Sequence, residues 1–261
     1  MYGHYEYAAW GRQRPVARAK AVPQWIRPSV LALLTAVLAW PSFGAEGVTA
    51  DASAAAAVLE RFIVSEGEAG AWPVETIEIQ ASLPTLKETG RLRAIRRLLP
   101  VGRLDYKVLE IAGDTTVKNQ VIVRYISADE KATELAGSSV APTSANYRIH
   151  YAGSVWLGNR LTYAFRMIPR KKREGLINGV LWLDSETGMA VRESGYLAKR
   201  SSVFVRRINL TRENELHNGA IAERVTHLSV EARLIGRAQL IIVERPTSDE
   251  SAVGGAAEGG Q

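Results

Sequence analysis

Leu161-Thr162-Tyr163-Ala164-Phe165-Arg166-Met167 puts Leu161, Tyr163, Phe165 and Met167 on one apolar face and Thr162 and Arg166 on the other. Successive side chains alternate across a strand, so this stretch reads as a β-strand with one face toward apolar surroundings. The pattern spreads outward from it. Segments 146–156, 160–168, 176–184, 189–199 and 203–211, and a long pair over 222–243, alternate in the same way. Asp184-Ser185-Glu186-Thr187-Gly188 sits between two of them, and its glycine suits the positive φ of a tight hairpin connection. Strands joined by short turns pair as antiparallel neighbours.

Upstream, Thr76-Ile77-Glu78-Ile79-Gln80-Ala81 alternates again, and 92–99, 104–111 and 120–126 read as strands bounded by turn residues such as Thr89-Gly90 and Gly113-Asp114. Helix propensity concentrates in 52–64, where Val58, Leu59 and Phe62 share a side, Asp51 or Ser53 can cap, and Gly67 and Gly70 stop the helix. A short helix over 129–136 and a Ser/Pro/Thr-rich loop over 137–145 mark the only internal break. The fold class is therefore mainly β (α+β): a large, curved antiparallel sheet of about nine to eleven strands covered by one or two helices.

The amino end has a different chemistry. Residues 30–40 form an apolar run, preceded by Arg12, Arg14, Arg18, Lys20 and Arg27 and followed by Pro41-Ser42-Phe43-Gly44-Ala45. That is the layout of an export signal, with cleavage expected after Gly44 or Ala45, the alternative being an uncleaved amino-terminal anchor. The run is shorter than the ~20 residues a spanning helix needs, so no permanent membrane span is expected after cleavage. The mature chain reads as one domain over 45–246, with a tail at 247–261 too poor in large apolar side chains to order itself.

Among the 261 residues, 33 Lys and Arg face 27 Asp and Glu, a net charge of +6. Five of those cations and one acid lie in 1–44, so the mature chain keeps only +2, and the excess is mostly the targeting device. No nucleic-acid partner is expected. Zero cysteines exclude a disulfide framework, a thiolate metal site, a cysteine nucleophile and a lipid anchor on cysteine.

Nothing in the chain spells a reaction. His150, His217 and His227 lie outside any metal-ligand spacing, and there is no Gly-x-Ser-x-Gly elbow or phosphate loop. Asp129/Glu130 and Glu213/Glu215 read as solvated surface. No catalytic residue, metal or cofactor is expected, and the chain reads as a non-enzyme. Two features invite binding. The cluster Arg170-Lys171-Lys172-Arg173, at a hairpin tip, is either a solvated edge guard or a foothold on an anionic surface. The face of Leu161, Tyr163, Phe165 and Met167 is either ordinary core or the wall of an apolar concavity for a lipid.

Three runs carry a family resemblance: Tyr147-Arg-Ile-His-Tyr151-Ala-Gly153; Arg160-Leu-Thr-Tyr163-Ala-Phe165-Arg-Met-Ile-Pro169; and Gly179-Val-Leu-Trp182-Leu-Asp184-Ser-Glu-Thr-Gly188-Met-Ala-Val191-Arg192-Glu-Ser-Gly195-Tyr-Leu-Ala-Lys199. They resemble exported bacterial proteins of the LolA-like lipoprotein-sorting superfamily, which holds the LolA and LolB carriers and the regulator RseB. The resemblance covers 146–214. It implies a half-barrel closed by helices, a periplasmic or envelope location, and an apolar concavity that accepts the acyl chain of a lipid or lipoprotein. It also admits an envelope protein partner, since the superfamily contains sensors as well as carriers. The segment after Asn218-Gly219 departs from the pattern, and with no lipobox cysteine the chain is not a LolB-type anchored receptor.

Overall fold

Ten alternating strands fill most of the described residues of the computed structural model, which are 45–68, 72–99, 103–133, 140–199, 205–233 and 236–247. The expected export signal over 1–44 and the expected tail from residue 248 to 261 lie outside them. The strands are β1 (Val74–Leu83), β2 (Glu88–Leu98), β3 (Leu104–Gly113), β4 (Tyr147–Leu157), β5 (Arg160–Pro169), β6 (Ile177–Asp184), β7 (Ala190–Leu197), β8 (Val205–His217), β9 (Ala220–Ala232) and β10 (Gly236–Pro246). They form one open sheet in the order β3-β2-β1-β10-β9-β8-β7-β6-β5-β4, antiparallel throughout. This is the expected mainly β class. β4 to β10 meander in sequence from one edge to the centre, where β10 pairs with β1.

The topology demands one long crossing. The chain leaves β3 at one edge and re-enters as β4 at the other. The helical residues that begin this crossing correct the sequence reading. Residues 120–126 are not a strand: Lys118–Ile122 is a π-helical turn, between the short α2 (Thr115–Val117) and α3 (Val123–Thr133). Val121, Val123 and Tyr125 mimic strand alternation, but the winning pattern is Val117, Val121 and Tyr125 with Ile122 and Ile126, four apart as a helix requires. Val117, Val121 and Ile122 are buried, while Val123 faces solvent.

The amino-terminal helix α1 (Ala45–Glu68) is longer than the sequence reading at both ends. No proline interrupts it, and Gly67 lies within its last turn. Asp51 is therefore not its cap. It sits inside the helix, and its carboxylate accepts hydrogen bonds from the Tyr151 hydroxyl and, at 3.3 Å, from Ser154 Oγ. Thr247, grouped with the tail by sequence, is bound to the start of β1: its N–H donates to the Val74 carbonyl at 3.1 Å, and its hydroxyl meets that of Thr76 at 2.8 Å.

Two cross-strand glycine pairs mark where the backbones approach most closely. A Cβ on Gly179 would sit 2.1 Å from the Ser194 carbonyl oxygen, and one on Gly195 would sit 2.4 Å from that of Asn178. At Gly113, opposite Gly90, it would lie 2.4 Å from the Thr89 carbonyl oxygen. Glycine is the residue such an approach allows, and glycine kinks let a sheet curve.

Candidate functional site

One cross-strand row passes through all ten strands. Ile111, Leu92, Ile79, Ile242, Thr226, Arg212, Glu193, Leu181, Phe165 and Tyr151 stand in register from β3 to β4, and so share a face. Its ends are apolar and its middle is polar.

Helices cover the two ends of that face separately. Val117, Val121 and Ile122 pack on Ile77, Ile79, Ala81 and Leu92, and on Leu240 and Ile242. Ala55, Val58 and Phe62 of α1 pack on Tyr163, Phe165, Met167, Leu181 and Leu183. Between these two cores lie β7, β8 and β9. Every residue of β7 is half-buried, and so are nearly all of 221–232 in β9. The strip is itself divided. Ile208, Leu197, Leu228 and Val230 lie toward one end, with buried Leu210, and Leu228 and Val230 pack against the margin of the first core. Toward the other stand Thr226 and an Arg212–Glu193 ion pair at 3.4 Å. Arg224 there donates to Asn214 Oδ1 at 3.1 Å and stacks over Trp72 with 5.2 Å to the ring centre.

The polar end of this face continues into a buried charge cluster on β1, β2 and β10. Arg96 is 7% exposed, and its guanidinium donates to Glu75 at 2.6 Å, Glu244 at 2.5 Å and Asp129 at 2.5 Å. The Tyr106 hydroxyl donates to the same Asp129 oxygen. Burial raises the Glu75 carboxyl above its usual range; Arg96 works against this and Glu244 adds to it. Burial, and then the Asp129 carboxylate, also push the Tyr106 phenol up. Despite burial, the three carboxylates hold Arg96 firmly charged. The cluster ties α3 to the sheet through Asp129. Asp129 is thus not the solvated surface residue its charged neighbourhood suggests, and it sits apart from exposed Glu130.

Sequence reasoning missed this cluster, although the signal was present. Glu75 is in phase with Ile77 and Ile79, Arg96 with Leu92 and Ala94, and Glu244 with Leu240 and Ile242. A charge in phase with core residues is a charge pointing inward.

Of the residues named from sequence, Tyr163, Phe165 and Met167 come together beneath α1 at 7%, 2% and 4% exposure. Leu161 is half-buried and faces Trp156, which is 65% exposed, on the edge strand. The alternate face of β5 is not simply wet: Thr162 and Ala164 are buried too.

The basic tip divides into two kinds of residue. Arg170 donates to the Ser144 carbonyl at 2.7 Å and Arg173 to Asn146 Oδ1 at 2.6 Å, so both hold the 141–147 turn. Lys171 and Lys172 are exposed. His150 stands opposite Arg166, and His227 between Thr211 and Ile241, neither in register with a carboxylate. Among the described residues no group of three potential ligands is placed to hold a metal, and no helix is long and apolar enough to cross a membrane.

The hairpin before β7 is built as its sequence suggests. Gly188 adopts φ +78°, and Asp184 Oδ1 accepts from Thr187 N–H at 2.8 Å and Thr187 Oγ1 at 2.9 Å. Burial opposes ionisation of Asp184, but these bonds and Arg160 hold its carboxyl below its usual range. Arg61 of α1 reaches this turn, donating to the Glu186 carbonyl at 2.9 Å.

No family model and no curated protein matches the sequence. Several solved structures resemble this chain, at low identity and low TM-score. One is a domain from Vibrio parahaemolyticus named for outer membrane lipoprotein sorting, 12% identical, covering 73% of this chain and 91% of its own, with a TM-score of 0.37. A DUF1329 family protein from Desulfovibrio piger is 12% identical over 73% of this chain and 90% of its own, with a TM-score of 0.39. The LolA superfamily protein NE2245 from Nitrosomonas europaea is 11% identical over 75% and 96%, with a TM-score of 0.35.

Proposed function

We propose that this protein is an exported, non-catalytic binding module that takes the acyl chain of a lipid or lipoprotein on the concave face of its sheet and presents it to an envelope partner. The observation that carries the reading is a half-buried apolar strip between two separately covered cores, made by Leu197 and Ile208 and continued by Leu228 and Val230 at the margin of the first core. Apolar surface left between well-packed layers is where a ligand gains most by burial, at about 25 cal/mol per Å² removed from water. The export signal read in residues 1–44 supports an envelope location.

In this reading α1 is a cover. Tyr163, Phe165 and Met167 become ligand wall only when α1 lifts from them, whereas the strip is reached without that movement. Native mass spectrometry of protein purified from a membrane-containing lysate tests it. A co-purifying lipid mass is expected, and a protein that is empty and stays empty when offered lipid overturns the proposal.

A second reading has its own observation. Ala55, Val58 and Phe62 already fill the face of Tyr163, Phe165 and Met167, as expected of an interaction or regulatory domain with a self-filled core. Envelope crosslinking that recovers one protein partner from a lipid-free protein favours that reading.

A further inference from the structure

From residue 135 to residue 173 the chain contains seven Lys and Arg and not one Asp or Glu. This run builds the edge hairpin of β4 and β5 and the turn after it, so the cation excess is gathered at one side of the fold. Three of the seven are committed to the protein itself. Arg160 pairs with Asp184 at 3.3 Å, and Arg170 and Arg173 hold the 141–147 turn. Glu174, which ends the run, pairs with Lys199 at 3.7 Å.

The remaining four are Arg148, Arg166, Lys171 and Lys172. All are exposed, and their side chains make no ion pair with the described residues. Arg166 stands directly opposite His150, and Arg148 lies two residues along from His150 on the same side of β4, the side away from Tyr147, Ile149 and Tyr151. Strand spacings put these groups ~5–7 Å apart, well inside a Debye length of about 8 Å at physiological salt. Lys171 and Lys172 extend the patch beyond the end of β5.

We infer that Arg148, Arg166, Lys171 and Lys172 form a docking surface for an anionic lipid membrane on the outer side of the β4–β5 hairpin. The form of the patch favours a membrane over an acidic peptide. It is an outward strand face followed by a turn, with two arginines and two lysines spread over both, so it answers to charge density and not to the stereochemistry of one segment. A lipid surface supplies such density without requiring a matched shape. The face lies opposite the apolar strip proposed as the ligand site, so either proposal can fail without the other.

Cosedimentation of the purified protein with vesicles of phosphatidylcholine, with and without phosphatidylglycerol, tests the inference. Binding is expected only with phosphatidylglycerol and is expected to weaken as salt rises. Lys171→Ala with Lys172→Ala should lower partitioning roughly thirtyfold, about fivefold per cation. A matched pair, Arg237→Ala with Arg245→Ala on β10, removes the same charge elsewhere and should leave most of the binding. Two outcomes overturn the inference: equal sedimentation with both vesicles or with neither, or the β10 pair weakening binding as much as the lysine pair.

Discussion

The two covered ends of the sheet are held by different physics. At the β1–β3 and β10 end, the helical crossing is packed by apolar side chains and also pinned by a buried guanidinium that reaches from β2 to Asp129 of α3. At the β4–β6 end, α1 rests on aromatic and aliphatic contacts, with Asp51 and Arg61 making its polar ties at the rim. Removing a partner from a buried ion cluster leaves uncompensated charge, whereas separating an apolar interface costs only what its area is worth. One cover is therefore held by buried charge as well as packing, the other by packing with polar ties at its rim, and the strip lies between them.

The contrast is broken most severely at Arg96. Arg96→Ala strands Glu75, Glu244 and Asp129 together, and denaturant unfolding should show a loss of about 3–5 kcal/mol. Phe165→Ala removes the largest fully buried side chain beneath α1 and should cost about 3–4 kcal/mol by the same measurement. Unlike the first change, it should loosen α1 selectively, seen as faster amide exchange in 51–65 than in 123–133. Gly195→Ala drives a methyl group against the Asn178 carbonyl and should cost about 1–3 kcal/mol.

The smallest effects are in pH, and the two ends should respond with opposite sign. Glu75 is raised above its usual 4.5, so the folded state holds this proton more tightly than the unfolded chain. Its contribution is full below 4.5 and is lost as pH rises through the folded value. Asp184, beneath the Arg61 tie, is lowered below its usual 3.8, and its contribution is present above 3.8 and lost as pH falls through the folded value. Stability against pH for Glu75→Gln should lose the decline above 4.5, and Asp184→Asn should lose the decline below 3.8. The converse assignment would invert the comparison.

How much of this the sequence carried depends on the kind of pattern involved. Alternation located most strands from Tyr147 onward to within three residues, helped by short turns between neighbours, although β8 runs six residues beyond its predicted end, to His217. It misplaced 120–126, where β-branched residues happen to satisfy period two and period four together. Phase also marked Glu75, Arg96 and Glu244 as inward-facing, yet which carboxylates meet which cation depends on β10 pairing with β1 across more than 160 residues, as in Ile79 opposite Ile242. The candidate strip was less legible still. Leu197, Ile208, Leu228 and Val230 look like any core residues, and what distinguishes them is where two helices stop, a matter of tertiary packing that no local pattern encodes.

The most direct test of the account is a titration of the protein with a fluorescent fatty acid, run beside an Ile208→Glu variant. The account predicts saturable uptake by the native protein and binding at least tenfold weaker in the variant, since a charge on the strip must be desolvated to admit an acyl chain. Absence of uptake by the native protein, or equal uptake by both, would contradict it.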